Sequence, residues 1–123
     1  MIKEFIRGFR FAINGIAHAA ATEMNFRLHL LVAVIVIGCG IFFQIEMTEW
    51  SMIAICFGMV FGAECFNTAI ERLADRVSKE NDPLIGHAKD LAAGAVLVVA
   101  FSAAAVGLII FLPKVYALLL GDA

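Results

Sequence analysis

Four polar side chains fall on one otherwise greasy helical run. In "FGAECFNTAIERLADR", residues 61–76, Glu64, Asn67, Glu71 and Asp75 recur at helical spacing with no proline or loop residue between them. At about 100° per residue, Glu64, Glu71 and Asp75 fall within roughly 40° of one another, with Asn67 alongside. Carboxylates aligned in this way can accept a proton, hold a hard divalent cation or pair with a basic group. Their depths differ. The run from 50 to 63 is uncharged. If Trp50 marks one membrane boundary, Glu64 lies about 21 Å inward and Glu71 about 31 Å, across a hydrocarbon core of roughly 30 Å. An ionisable group inside a span costs several kcal/mol unless it is paired, which makes Glu64 a functional candidate. The plainer alternative is that Glu64 only bonds a neighbouring helix. Asp75, between Arg72 and Arg76, suits a solvated ion pair nearly as well as a functional role.

Other polar residues point to the boundary where Glu71 emerges. Glu23 stands in "ATEMNFRLH", and Lys89 and Asp90 open "GHAKDLAAGAVLV". Acidic residues suited to a hard divalent cation, together with a lysine suited to phosphate, match a Mg²⁺-nucleotide. An ion or proton pathway would also use membrane carboxylates. Residue chemistry leaves both open.

The elements that must carry these groups follow from composition. The chain has 123 residues, 63% of them hydrophobic and 16% charged. Its mean hydropathy is +0.95. Soluble domains run about 45–50% apolar and about 25% charged. The expected fold is therefore an all-α membrane protein, one domain over 1–123. A formal charge of -2 gives no reason to expect nucleic acid as a partner. Three spans are expected, at 28–45, 48–76 and 87–120, the second with an extension beyond the membrane. Residues 91–112 form a run of 22 without a charge, about 33 Å as a helix. In the first span, residues 28–43 are polar only at His29.

Residues 1–27 lack a compact apolar core followed by a cleavage site, so they do not read as a secretory signal. Phe5, Phe9, Ile13, Ile16 and Ala20 form a helical stripe flanked by basic residues. This pattern predicts an amphipathic helix on the membrane surface, joined to the first span by a short link. The alternative is a soluble cap packed on the other helices. Eight of the nine Lys and Arg lie before the first span (Lys3, Arg7, Arg10, Arg27) or between the second and third (Arg72, Arg76, Lys79, Lys89). The positive-inside rule then puts the N-terminus and the 72–90 connection in the cytoplasm. Lys114 alone lies on the other side, where Trp50 and Tyr116 suit the outer interface. Cys39, Cys56 and Cys65 lie in apolar helical stretches, without disulfide or zinc-type spacing. His18, His29 and His87 are scattered and do not suggest a metal site.

The run "ECFNTAIERLAD", followed by "AKDLAAGAVLV", resembles the bacterial integral-membrane diacylglycerol kinase and undecaprenol kinase family. "TEMNFRLH" before the first span and "GLIIFLPKV" near the end are similar to the same family, in order and with matching spacing. The resemblance implies a homotrimer of subunits with a surface helix and three transmembrane helices, and active sites shared between subunits. It implies Glu64 as the catalytic carboxylate beside a lipid hydroxyl, supported by Asn67. Glu71 and Glu23 would hold Mg²⁺ on ATP, Lys89 would contact phosphate, and Asp90 would help organise the nucleotide site. Glu80, Asn81 and Asp82 match a nucleotide-contacting stretch. At Phe11 family members have tyrosine, which removes a hydroxyl contact to nucleotide there.

The reaction implied is transfer of the γ-phosphate of MgATP to the hydroxyl of a membrane lipid at the cytoplasmic face of the bacterial inner membrane. "GAVLV", "GLIIFLPKVYALL" and the "EW" before the second span look more like Gram-positive members, which favours undecaprenol, with diacylglycerol as the alternative acceptor. A non-enzymatic scaffold or a small ion-conducting oligomer is the competing class.

Overall fold

The computed structural model describes residues 1–78 and 80–121. Lys79, one of the basic residues used for orientation, lies outside the described residues. Among the described residues four helices run in order: α1 (Ile2–Thr22), α2 (Met24–Phe42), α3 (Met47–Val77) and α4 (Pro83–Leu120). Among the described residues there is no strand. The helices α2, α3 and α4 are each long and apolar enough to cross a membrane. The chain is therefore an all-helical, multi-pass membrane protein.

The break between α1 and α2 is a single extended residue, Glu23, at φ -100 and ψ 120. The chain turns there because the open carbonyls at the end of α1 find other donors. Arg27 Nε donates to the Ala20 carbonyl at 3.0 Å, and Arg27 Nη2 donates to that of Ala21. Phe26, buried just beyond the corner, packs against Phe61 of α3 with the rings tilted at 52° and their centroids 5.2 Å apart. Along α1 the apolar stripe stays uncovered: Phe5 is 68% exposed and Phe9 58%.

The α2–α3 connection follows from helix-end chemistry. Ile45 N–H donates to the Gly40 carbonyl at 3.1 Å, and Gln44 N–H to that of Ile41 at 3.2 Å. This is the Schellman pattern, and it requires the left-handed backbone found at Gln44, φ 50. Glu46 then caps α3, and the Glu49 carboxylate accepts from its N–H at 2.9 Å in a capping box. Gly40 is required here by packing. A methyl at its Cα would stand 2.6 Å from the Trp50 ring.

Around this turn sits the small hydrophobic core, Ile45, Ile53 and Ile110, flanked by Trp50, Phe43 and Phe111. Lys114 of α4 ties it down, donating to the Glu49 carboxylate at 2.7 Å. At the opposite end α4 starts with Pro83 behind its cap Asp82, whose Oδ1 accepts from Leu84 N–H at 2.9 Å. The polar residues of interest collect at that second end and along the side of α3 leading to it.

Candidate active site

The long helix α3 continues unbroken from its apolar start through Glu64 to Val77, because nothing in residues 47–77 interrupts it. Unbroken helix fixes the register of its polar groups. From Glu64 to Asp75 the rise is about 16 Å. Along that rise the environment changes from enclosed to wet.

Glu64 is 2% exposed. Its Oε1 lies 3.0 Å from Nε2 of His29, on α2. This contact gives the buried carboxylate a polar neighbour, and a buried charge with none costs several kcal/mol. His29 also lines a cavity of about 260 Å³ enclosed by α2, α3 and α4, whose other walls are apolar, including Phe57, Phe61 and Ala104. One turn further, Asn67 is 8% exposed. Its side-chain Oδ1 is buried and, among the described residues, has no hydrogen-bond partner. An orphaned buried acceptor of this kind is unusual, and it leaves the amide able to receive a donor from a ligand.

Nearer the end, Arg72 and Asp75 each take a partner. Arg72 Nη2 donates to Glu23 Oε1 and to Thr22 Oγ1, both at 2.8 Å. This contact fixes the α1–α2 corner against α3. Glu23 therefore sits beside α3 at the level of Glu71, but its carboxylate is engaged with Arg72. Lys89 Nζ donates to Asp75 Oδ1 at 2.8 Å. The charges of Glu71 and Asp90 also act on Lys89. Half-buried Glu71 has no ion pair or side-chain hydrogen bond among the described residues.

Lys89, Asp75, Glu80, Asn81 and Asp82 line one polar cavity of about 470 Å³ between the end of α3 and the start of α4. The side chain of Asp82 serves as the α4 cap within it. Asp90 and Phe11 do not line it; both are exposed, Phe11 on α1 at 65%. The site residues expected from sequence thus fall in two groups: Glu64 and Asn67 within the helices, and the Lys89 group at the end. Glu71 and Glu23 stand between them.

Mg²⁺ needs only one or two carboxylates when phosphate oxygens and water complete its shell. Among the described residues no three of His, Cys, Asp and Glu converge as a self-sufficient metal cage. Glu71, free of side-chain partners among the described residues, and Glu23, engaged with Arg72, would offer the one or two carboxylates that an ion arriving with a nucleotide needs. Two partners were not legible in the sequence. His29 offered one signal, as the sole polar residue of the apolar run 28–43. The Arg72 contact offered none, because Glu23 and Arg72 lie 49 residues apart and Arg27 is far nearer in sequence.

Comparison with known proteins bears on what this geometry is for. The prokaryotic diacylglycerol kinase family model matches residues 10–111. The chain is 41% identical to an undecaprenol kinase of Bacillus subtilis over 113 residues, 92% of either chain. It is 37% identical to a diacylglycerol kinase of Synechocystis over 112 residues, 90% of this chain and 64% of that one. To a diacylglycerol kinase of Pseudomonas aeruginosa it is 32% identical over 95 residues, 76% of each.

Proposed function

This chain belongs to the prokaryotic diacylglycerol kinase family and is a lipid kinase; from that premise we propose that it transfers the γ-phosphate of MgATP to the primary hydroxyl of undecaprenol. The observation that carries the reading is the division of α3 by depth. Glu64 is enclosed and touches His29, which borders an apolar cavity, while Lys89 and its polar neighbours stand at the helix end. A lipid alcohol and a water-soluble nucleotide need such different surroundings along one path.

In the proposed reaction Glu64 accepts the proton of the lipid hydroxyl as its oxygen attacks the γ-phosphorus. The bond to the bridging oxygen breaks, leaving ADP and a lipid monophosphate. Phosphoryl transfer is driven mainly by positioning and charge neutralisation, with no covalent protein intermediate needed. Asn67 supports the hydroxyl oxygen by donating from its amide nitrogen. Lys89 and Asp90 serve the nucleotide, with Glu80, Asn81 and Asp82 around it, and Phe11 reaches it only by apolar contact. Glu71 with Glu23 would hold Mg²⁺, which offsets phosphate charge when bound; for this Glu23 must exchange Arg72 for the metal.

The active form is read as a homotrimer with sites shared between subunits. It lies in the bacterial inner membrane with the N-terminus, α1 and the nucleotide site on the cytoplasmic side. The uncovered apolar stripe of α1 supports its lying on the membrane surface. Similarity across 92% of the Bacillus subtilis undecaprenol kinase supports the polyprenyl acceptor. The names of the other two relatives favour a second reading, diacylglycerol as acceptor. Protein reconstituted in lipid with γ-labelled ATP should phosphorylate undecaprenol faster than diacylglycerol. The reverse ratio would transfer the assignment to diacylglycerol, and label in neither lipid would refute both.

A further inference from the structure

A buried carboxylate is a poor base unless something holds it charged and aimed. In apolar surroundings an unpartnered carboxylate takes up a proton and can accept no other. It must also present one oxygen to the hydroxyl, so its side-chain torsions have to be locked. In this chain the group that meets Glu64 is His29, Nε2 to Oε1 at 3.0 Å. The two residues come from different helices, α2 and α3, so the contact is made by the fold rather than by local chain geometry. His29 is only 24% exposed at its side chain, in a run, 28–43, with no other polar residue. It also borders the apolar cavity, the direction from which a lipid chain would reach Glu64.

We infer that His29 is the positioning residue for Glu64: its Nε2 holds Oε1, keeping the carboxylate paired and leaving Oε2 for the lipid hydroxyl. This rests on the reading of Glu64 as the proton acceptor. His29 touches neither phosphate nor metal in this role and acts through Glu64 alone. The imidazole therefore matters for kcat, and little for how tightly nucleotide or lipid binds.

The test compares purified wild type, His29→Leu, His29→Gln, Glu64→Asp and the His29→Leu/Glu64→Asp double variant, with MgATP and both lipid alcohols supplied. His29→Leu should lower kcat about 30-fold or more, with KM for ATP and lipid within about threefold. His29→Gln keeps a donor near the Nε2 position and should retain most of kcat. Aspartate is one methylene too short to keep the contact, so adding His29→Leu to Glu64→Asp should cost less than about threefold more. A purely structural histidine would lower stability in both backgrounds alike and would show no such dependence on Glu64.

Near-wild-type kcat in His29→Leu would overturn the inference, as would an equal loss in both backgrounds. If His29→Leu does not assemble, His29→Phe preserves the ring without the donor and carries the same expectation. A His29→Gln enzyme as inactive as Glu64→Gln would also overturn it. Glu64→Gln serves as the control: its full activity would refute Glu64 as base, whereas an inactive Glu64→Gln beside an active His29→Leu would refute His29 alone.

Discussion

Lys89 and Asp75 are held at 2.8 Å, yet their side chains are 37% and 68% exposed. Solvent screens exposed pairs of this kind, so stability is not their main consequence. What the contact does is hold the ammonium over the polar cavity. Lys89→Met should raise KM for ATP about tenfold or more, while Asp75→Asn should leave the melting midpoint close to that of wild type. Titration with ATP and a melting curve for each variant check the two. Glu71→Gln should weaken Mg²⁺-dependent ATP binding; affinity equal to wild type would remove Glu71 from the metal set. At this scale the sequence was legible in part. Helical geometry alone aligned Glu64, Glu71 and Asp75. The identity of their partners depends on which turns of α2 and α4 face α3, and spacing along one chain does not carry that.

Among the elements, the α2–α3 turn is the most exacting. Gln44 adopts φ 50, a conformation that costs a residue with a Cβ about 1 kcal/mol or more and glycine almost nothing. Gln44→Gly should therefore stabilise the protein by about 0.5–1 kcal/mol, read as a higher unfolding midpoint in detergent. Gly40 behaves in the opposite sense. With Trp50 occupying the space a side chain would need, Gly40→Val should destabilise by about 1–3 kcal/mol. The three spans were plain from their apolar runs, but the helices extend beyond those runs. The first apolar run opens at Leu28, whereas α2 starts at Met24; α4, the third span, begins at Pro83, four residues before the expected 87. Hydropathy sees the part that lies in lipid and misses the polar turns that continue each helix into water. Asp82 followed by Pro83 is a helix-start signal that marks the true boundary.

In the whole molecule, burial is uneven. Of the most apolar window of α4 only 6% is buried within one chain, against 28% for α3. Lipid or further copies of the chain must cover α4, and a trimer with shared sites would cover part of it. Mixing Glu64→Gln with Lys89→Met subunits should then restore activity above that of either variant alone; no gain would contradict shared sites. That two depths along α3 serve two substrates is the central claim, and Glu64→Gln tests it most directly. With MgATP and lipid supplied, turnover should fall at least about 100-fold while ATP binding stays within about twofold of wild type. Undiminished turnover, or ATP binding lost together with turnover, would contradict the separation of a lipid-facing base from a water-facing nucleotide site.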